Sequence, residues 1–180
     1  KRTNLYKENI QRDSQQSMFI NYEDYLKSLC MESEIDDFKP IYLDRITQLI
    51  NKTNQFNLTT KRLTSQEVET IASSSDYVAI YGKLKDKFGD NGLVSVMIGK
   101  IHDNTCHIDI WLMSCRVFKR TLEYAMFEIF LEKCRRKGVE KITGTYIKTQ
   151  KNGIIKDLLK DLGFSKNKNE TQSTWSYKIN

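Results

Sequence analysis

The feature that most constrains the fold is a change of hydrophobic period in the second half of the chain. Apolar and polar residues alternate along Cys106–Met113, which predicts a long strand. In Thr121–Lys137 the apolar residues recur every three or four positions, which predicts an amphipathic helix that Gly138 ends. A second strand is predicted at Lys141–Ile147. Because a helix connects the two strands, we expect them to lie side by side in one sheet.

The remaining elements place an antiparallel hairpin before this crossover. Tyr77–Leu84 and Leu93–Ile101 are predicted as its strands, and Gly89–Gly92 as its turn. The other predicted strands and helices are Glu34–Lys39, Tyr42–Thr53, a helix capped by Thr64 and Glu67, Asn152–Leu162 and Thr174–Ile179. This order predicts an α+β domain over residues 34–180, with a mixed, mainly antiparallel sheet flanked by helices.

Residues 1–33 form a different kind of segment. They are polar and compatible with helices, with Asn21 as the cap of a second short helix, but their apolar stripe is sparse. Such helices bury too little apolar surface to form a core alone. We therefore expect a helical linker or appendage that depends on another surface, such as an N-terminal domain, and we expect the chain to be one domain of a longer protein.

Composition excludes several classes of protein. Hydrophobic residues make up 39% and charged residues 29% of the 180 residues, which is typical of a globular domain. No apolar run approaches the roughly 20 residues of a membrane-spanning helix, so we expect no membrane partner. The four cysteines are far apart, and there are only two histidines. We therefore expect no metal site, no disulfide framework and a reducing cytoplasm.

The net charge of +6 is concentrated towards the C-terminus. Residues 116–168 alone hold 14 basic and 6 acidic side chains. Such an excess suits a polyanionic partner, or it belongs to an ordinary solvated surface. No recognisable nucleic-acid-binding motif accompanies the charge, so we do not expect nucleic-acid binding.

The junction between the central strand and the next helix is the best candidate for a binding site. A short basic loop leads there directly to a helix N-terminus, whose free amides and dipole favour an anion. The candidate cofactor-binding residues are Met113, Arg116, Val117, Phe118, Lys119, Arg120, Thr121 and Leu122. An ordinary basic turn between a strand and a helix would have the same composition.

With this order of elements, the chain resembles the GNAT acyltransferases. In that family the loop after the fourth strand has the pattern [QR]-x-x-G-x-[GA] and cradles the pyrophosphate of acetyl-CoA. The matching positions are Arg116, Lys119 and Thr121, so the arginine is kept and both small residues are replaced. A later family signature adds Asn152 to the candidate cofactor-binding residues. It also places Leu159 where the family has a tyrosine that donates a proton to the departing thiolate.

A second resemblance covers most of the chain. The block Asn51–Thr60, together with Phe88–Asp90, Met113–Val117 and Leu162–Phe164, is similar to the C-terminal half of FkbH-like proteins. That family joins a haloacid-dehalogenase-type domain of subfamily IIIC to a GNAT-like domain, and members load a glyceryl unit onto an acyl carrier protein. The resemblance implies that the partner is an acyl carrier protein or the N-terminal phosphotransfer domain. The D-x-D motif of the phosphotransfer centre is absent from this sequence.

Three side chains are candidates for catalysis. His107 and Asp109 share one face of the central strand, where the general base of a GNAT enzyme could lie, although a packing role fits His107 equally. Cys115 follows the strand and precedes Arg116, which could stabilise a thiolate that accepts an acyl group. A small buried cysteine at a strand end is the alternative.

An amide-rich stretch lies between the first two helices of the predicted domain. Asn54, Gln55 and Asn57 fall in Asn54–Lys61, which we predict as a polar surface loop. In GNAT folds this region covers the acceptor site, so these residues are candidates for an acceptor loop. Local capping of a turn is the alternative.

Two functions fit these features. The first is a domain that handles an acyl thioester and binds phosphopantetheine, as CoA, as acetyl-CoA or on an acyl carrier protein; an active form would be an acyl-CoA-dependent N-acyltransferase. The second is a binding module that docks the carrier protein without catalysis. The resemblance implies that splayed fourth and fifth strands receive the pantetheine arm. The replacements at Lys119, Thr121 and Leu159 favour the binding module.

Overall fold

Strands and helices largely follow the order that the hydrophobic periods predict. In the computed structural model, which describes residues 2–167 and 173–180, the helices are Arg2–Gln16 (α1), Tyr22–Ser28 (α2), Leu43–Lys52 (α3), Ser65–Ser73 (α4), Leu122–Arg136 (α5) and Leu158–Asp161 (α6). The strands are Glu32–Asp37 (β1), Phe56–Asn57 (β2), Tyr77–Asp86 (β3), Gly89–His102 (β4), Thr105–Met113 (β5), Lys141–Thr145 (β6), Ser165–Lys166 (β7) and Thr174–Lys178 (β8). Short 3-10 turns precede three of the helices, at Pro40–Tyr42, Cys115–Val117 and Gly153–Ile155.

The strands form one mixed sheet in the order β1-β3-β4-β5-β6-β8-β7, and β2 pairs with β5 outside this path. β5 and β6 are parallel, with Cys106 opposite Ile142, and the other pairs along the sheet are antiparallel. The long alternating strand is therefore central, and the strand after the crossover helix is its neighbour. This arrangement confirms the predicted α+β fold with a mainly antiparallel sheet.

Helices cover both faces of the sheet and divide the core into two parts. α5 and α6 pack on one face, where Trp111, Phe127 and Phe130 are buried. α3 and α4 pack on the other face over β3 and β4, with Ile46 and Ile50 fully buried. Both faces of the central strand are thus removed from water, and apolar burial of this extent is the main stabilising term of the fold.

The hairpin of β3 and β4 turns earlier than the glycine-rich stretch predicts. Its turn is Lys87–Phe88, and Gly89–Gly92 lies inside β4. The Asp86 carboxylate determines this position, because it accepts hydrogen bonds from the amides of Phe88 and Gly89 at 2.9 and 3.2 Å. A carboxylate that satisfies the free amides of a turn favours that turn over a competing one nearby.

The two N-terminal helices pack against the turn of this hairpin. Leu29, just after α2, is fully buried, and its carbonyl accepts a hydrogen bond from an amide of the turn at 3.0 Å. Arg12 of α1 is 2% exposed and forms an ion pair with Asp86. The surface on which these helices depend is therefore present in this chain. Their origin in a separate domain stays a prediction, and a boundary after residue 33 would cut β1.

Candidate functional site

The central feature of the site is the place where β5 and β6 part. The two strands pair only between Thr105–Ile108 and Lys141–Gly144. Directly after this paired stretch, β5 contains a β-bulge: Asp109 is an extra residue opposite the step from Ile98 to Gly99 on β4. A bulge of this kind bends the strand that contains it. Beyond the bulge, the backbone groups of β5 need new partners, because buried backbone donors and acceptors are costly when unpaired. The gap between the parted strands is therefore suited to an extended ligand that supplies backbone hydrogen bonds to β5.

In this protein a segment of the chain itself fills the gap. β2 pairs antiparallel with the last two residues of β5. The next residue, Leu58, donates its amide to the carbonyl of Trp111 at 3.2 Å, and its own carbonyl accepts the amide of Ile147, just after β6, at 2.9 Å. Leu58 therefore bridges the two parted strands. We call Phe56–Leu58 the closing segment; its residues are 6%, 0% and 0% exposed.

A buried asparagine holds the closing segment in place. The Nδ2 of Asn152 donates to the carbonyl of Asn57 at 3.0 Å and to that of Ile147 at 2.9 Å. Its Oδ1 accepts from the amide of Thr149 at 2.7 Å and from the hydroxyl of Tyr146 at 3.2 Å. The hydrogen-bonding capacity of this side chain is thus used within the chain. Cofactor binding by Asn152 stays a prediction, and it would require these bonds to break.

The residues of the predicted acceptor loop do not share one environment, because one of them belongs to the closing segment. Asn57 turns inward, and its Oδ1 accepts from the amide of Thr60 at 2.9 Å. Gln55 is exposed and Asn54 is partly exposed, so only these two lie where an acceptor could reach them. The expectation of a polar surface loop over Asn54–Lys61 is wrong in its middle, because two apolar side chains and one hydrogen-bonded amide enter the core there.

The loop between β5 and α5 has a glycine-type backbone without glycine. Lys119 and Thr121 have φ angles of 62° and 63°, in the left-handed region that glycine adopts without steric cost. These are the two positions at which the GNAT motif has small residues. Residues in such conformations persist where surrounding contacts hold them, and they concentrate at binding sites. The loop therefore has a backbone shape that its side chains alone would disfavour.

The basic side chains of this loop make different contacts. Arg120 is 8% exposed; its guanidinium pairs with Asp86 at 3.2 Å and donates to the carbonyl of Arg116 at 2.9 Å. The Nε of Arg116 donates to the hydroxyl of Ser114 at 3.3 Å. Lys119 is exposed and lies on the wall of a groove. The charge of Arg120 is thus used to support the loop, which leaves Arg116 and Lys119 as the cations nearest to an incoming anion.

A groove of about 260 Å³ lies beside this loop, between α5 and the 3-10 turn that precedes α6. Its apolar lining includes Phe56 of the closing segment and Met113 at the end of β5. Burial raises the pKa of Glu123, although its carboxylate accepts a hydrogen bond from its own backbone amide. The lining also holds the Lys119 ammonium group and the exposed carboxylates of Asp157 and Asp161, in addition to the Glu123 carboxyl group. The groove therefore repels a ligand with several negative charges more strongly than a ligand with one.

The two candidate bases lie away from this groove. His107 Nδ1 is 2.8 Å from the hydroxyl of Thr143 on β6. Asp109 Oδ2 is 3.7 Å from Nζ of Lys61, in the lining of a separate cavity of about 360 Å³ beside α4. The structure therefore gives each of them a polar partner within the chain, and a role as general base stays a prediction for both.

Two further positions bear on acyl transfer. Cys115 is exposed at the first residue of the turn after β5, so the interpretation as a buried cysteine is wrong. Its role as an acyl acceptor stays a prediction. Leu159 is 2% exposed and packs over Gly144 of β6, and its side chain has no proton to donate.

Several solved structures to which this chain is similar are acetyltransferases. An acetyltransferase of the GNAT family from Streptococcus pneumoniae is 15% identical, with a TM-score of 0.63, over 83% of this chain and 100% of that chain. The ribosomal-protein-S18-alanine N-acetyltransferase from Escherichia coli is 11% identical, with a TM-score of 0.60, over 82% and 94%. The PaiA N-acetyltransferase from Thermoplasma acidophilum, in complex with coenzyme A, is 13% identical, with a TM-score of 0.57, over 82% and 99%. The chain has the GNAT fold.

The sequence comparisons add no closer relative, since no protein-family model and no curated protein matches the chain. At such low identities the structural similarity establishes the GNAT fold, and activity, substrate and the link to FkbH-like proteins remain matters for a proposal.

Within the GNAT fold, β5 and β6 are the fourth and fifth strands, and β2 is an additional strand in the connection between α3 and α4. The closing segment thus takes backbone hydrogen bonds in the gap to which the resemblance assigns a pantetheine arm. Its signal in the sequence is weak. Phe56 and Leu58 alternate around Asn57, but three residues are too few to establish a strand period.

Two properties of the described residues limit the chemistry of the site. Within residues 2–167 and 173–180, no group of three or more His, Cys, Asp or Glu side chains is arranged to hold a metal ion. In that same part of the chain, no helix combines the length and the apolar character needed to cross a membrane.

Proposed function

We propose that this GNAT-fold domain is a binding module for the phosphopantetheine arm of an acyl carrier protein and that it does not transfer acetyl groups. The closing segment carries the proposal. A pantetheine arm cannot add to β5 where the carbonyl of Trp111 already accepts the amide of Leu58. In addition, Leu159 offers no proton to a departing thiolate, so the step that a tyrosine performs in related enzymes lacks its general acid.

The groove beside the loop is the place left for the arm. Tyr124 and Ile154 line it with 49% and 60% of their surface exposed, and they provide apolar surface for an aliphatic chain above the buried Phe56. Lys119 stands on the same wall, next to the backbone amides at the start of α5, where a single phosphodiester could be held. The arm would then lie over the closing segment instead of between the strands.

Charge and space favour a carrier-bound arm over free CoA. The carboxylates of Asp157 and Asp161 in the groove oppose the several negative charges of CoA, whereas the arm on a carrier protein brings one phosphodiester. The side chains of Lys119 and Thr121 also occupy space that glycine leaves open for a pyrophosphate. The acidic surface typical of carrier proteins would be met by the basic excess of residues 116–168.

Isothermal titration calorimetry with four ligands tests the proposal: a carrier protein in its holo form, the same protein in its apo form, CoA and acetyl-CoA. We expect micromolar binding of the holo carrier protein, at least about tenfold weaker binding of the apo form, and weaker binding of both CoA ligands. Equal affinity for the holo and apo forms would contradict recognition of the arm.

An acyl-CoA-dependent N-acyltransferase is the second candidate function. The left-handed backbone at Lys119 and Thr121 favours it, because this is the shape that a loop with glycine at these positions adopts around a pyrophosphate. A free-thiol assay with acetyl-CoA and an amine acceptor separates the two candidates. Steady thiol release together with micromolar affinity for acetyl-CoA would establish the enzyme and overturn the binding module.

A further inference from the structure

We infer that the N-terminal helices set the conformation of the loop before α5, and that Tyr22 and Asp86 are the positioning residues through which they act. The loop needs such support. Lys119 and Thr121 both have left-handed φ angles, and each side chain there is sterically disfavoured relative to glycine. Two strained residues on either side of Arg120 persist only if contacts from outside the loop hold them.

The first support is a buried ion cluster centred on Asp86. Its Oδ2 accepts from Nε of Arg12 at 2.7 Å, its Oδ1 accepts from Nη2 of Arg12 at 2.8 Å, and Nη1 of Arg120 donates to Oδ2 at 3.2 Å. The side chains of Arg12, Asp86 and Arg120 are 3%, 0% and 8% exposed. One carboxylate therefore joins α1, the end of β3 and the loop.

The cluster stabilises the ionised form of the Asp86 carboxylate. Burial by itself raises the pKa of Asp86, but the hydrogen bonds from Arg12 and from the amide of Phe88, with the charges of Arg12 and Arg120, lower it below its ordinary value. Without the negative charge, two guanidinium groups would face each other in a buried site, which is strongly unfavourable. Arg120 would then leave its position and release the loop.

The second support is a single hydrogen bond from α2. The hydroxyl of Tyr22 donates to the carbonyl of Lys119 at 2.6 Å, so it holds the peptide that follows the first left-handed residue. The ordinary pKa of a tyrosine is about 10 and burial raises that of Tyr22, so the hydroxyl can donate at neutral pH. Tyr22 and Asp86 thus hold the strained region from separate elements at two adjacent residues, the carbonyl of Lys119 and the side chain of Arg120.

The substitution Tyr22→Phe tests the inference because it removes one hydroxyl group and little else. The amides of Phe118 and Tyr124, which donate to the carbonyls of Cys115 and Thr121, frame the loop. Hydrogen–deuterium exchange on the full chain should show these two amides exchanging about two- to tenfold faster, which is the effect of one lost hydrogen bond. The carbon-13 shifts of Lys119 and Thr121 should move away from left-handed values. Amides of β4 and β5 should keep their wild-type exchange. Unchanged loop exchange, or faster exchange confined to α2, would overturn the inference.

Two more variants sharpen this test. Tyr6→Phe is the matched control, because Tyr6 lies on α1 with 69% exposure and its hydroxyl should not affect the loop. Asp86→Asn keeps the size of the side chain but removes its charge. We expect the amides of α1 and those of Phe118 and Tyr124 to exchange faster together, by more than tenfold. Faster exchange in α1 alone would contradict coupling. If Asp86→Asn does not fold, the result for Tyr22→Phe decides.

Discussion

Two buried polar clusters flank the candidate site, and they stabilise it by different physics. On one side, the neutral amides of Asn57 and Asn152 hold the closing segment between β5 and β6. On the other side, Asp86 holds Arg12 and Arg120 and supports the loop before α5. In the amide cluster, donors and acceptors balance without charge. In the ion cluster, Arg12 and Arg120 share the Asp86 carboxylate, and the Glu8 carboxylate lies 3.9 Å from Arg12 as a second, more exposed partner.

This difference means that the closing segment is held at any pH at which the protein is folded, whereas support of the loop before α5 depends on the ionisation of Asp86. A satisfied amide network specifies one arrangement of strands at any pH at which the protein is folded. A buried ion cluster is stable only while its carboxylate is ionised, and loss of one member leaves an uncompensated charge. We therefore expect the two clusters to respond differently to substitution and to pH.

The largest effect is expected for Asp86→Asn. At pH 7 it should lower the free energy of unfolding by about 4 kcal/mol, because it leaves two guanidinium groups without their shared anion. Asp13→Asn, at an exposed position next to Arg12, is the control and should change stability by no more than about 0.5 kcal/mol. Urea denaturation monitored by circular dichroism measures both values. A loss below about 1 kcal/mol would mean that the cluster does not support the fold.

The pH dependence of this effect follows from the lowered pKa of Asp86. A carboxyl group with a lowered pKa in the folded state contributes stability above its unfolded pKa of about 3.9, and this contribution is lost as the pH falls towards the folded pKa. The difference between wild type and Asp86→Asn should therefore be constant above about pH 5 and shrink below about pH 4. A difference that persists unchanged to about pH 2 would contradict the assignment of the effect to ionised Asp86.

The next effect is expected for Asn152→Ala. It leaves the buried carbonyl of Asn57 and the partly buried carbonyl of Ile147 without their shared donor, which should cost about 3 kcal/mol of unfolding free energy. In contrast to Asp86→Asn, this loss should not vary between about pH 5 and pH 8, since no titrating group is removed. Gln55→Ala, at an exposed position next to the closing segment, should be nearly neutral. A small loss for Asn152→Ala would indicate that the closing segment can be displaced by a ligand.

A smaller effect is expected on binding at the loop that both clusters frame. Arg116→Ala and Lys119→Ala should each weaken binding of the holo carrier protein by about 1–2 kcal/mol, the value of a partly exposed charge-assisted hydrogen bond. Lys52→Ala, at the exposed end of α3, is the control for a general loss of positive charge. Calorimetry measures the three variants, and an equal loss in all of them would indicate nonspecific electrostatic attraction.

The smallest effect is expected from relief of strain in the loop. Lys119→Gly should be more stable than Lys119→Ala by about 1 kcal/mol, because alanine keeps the β-carbon that disfavours a positive φ angle and glycine does not. Both variants lose the same ammonium group, so the lost charge does not contribute to the difference in their stability. Thermal unfolding of the two variants measures the difference. Equal stability would show that the left-handed conformation at Lys119 carries no strain.

Periodic apolar patterns determined most of the fold. The alternation of Cys106–Met113, the helical spacing of Thr121–Lys137 and the strand after it predicted that β5 and β6 are neighbours in one sheet, joined by a crossover helix. The Thr64 and Glu67 pair predicted a capping box, which is present at the start of α4. Each of these signals arises from residues close in sequence, and local propensity and one-sided burial are sufficient to specify them.

Only the tertiary structure decided how the site is closed and held. Asn57 and Asn152 are 95 positions apart, and Asp86 is 74 positions from Arg12 and 34 from Arg120. Hydrogen-bond partners so far apart in the sequence produce no periodic pattern from which they could be predicted, because any side chain of the right chemistry would satisfy the buried group. The closing segment is likewise too short for a period, and it becomes a strand because the bulge at Asp109 leaves backbone groups of β5 that need partners.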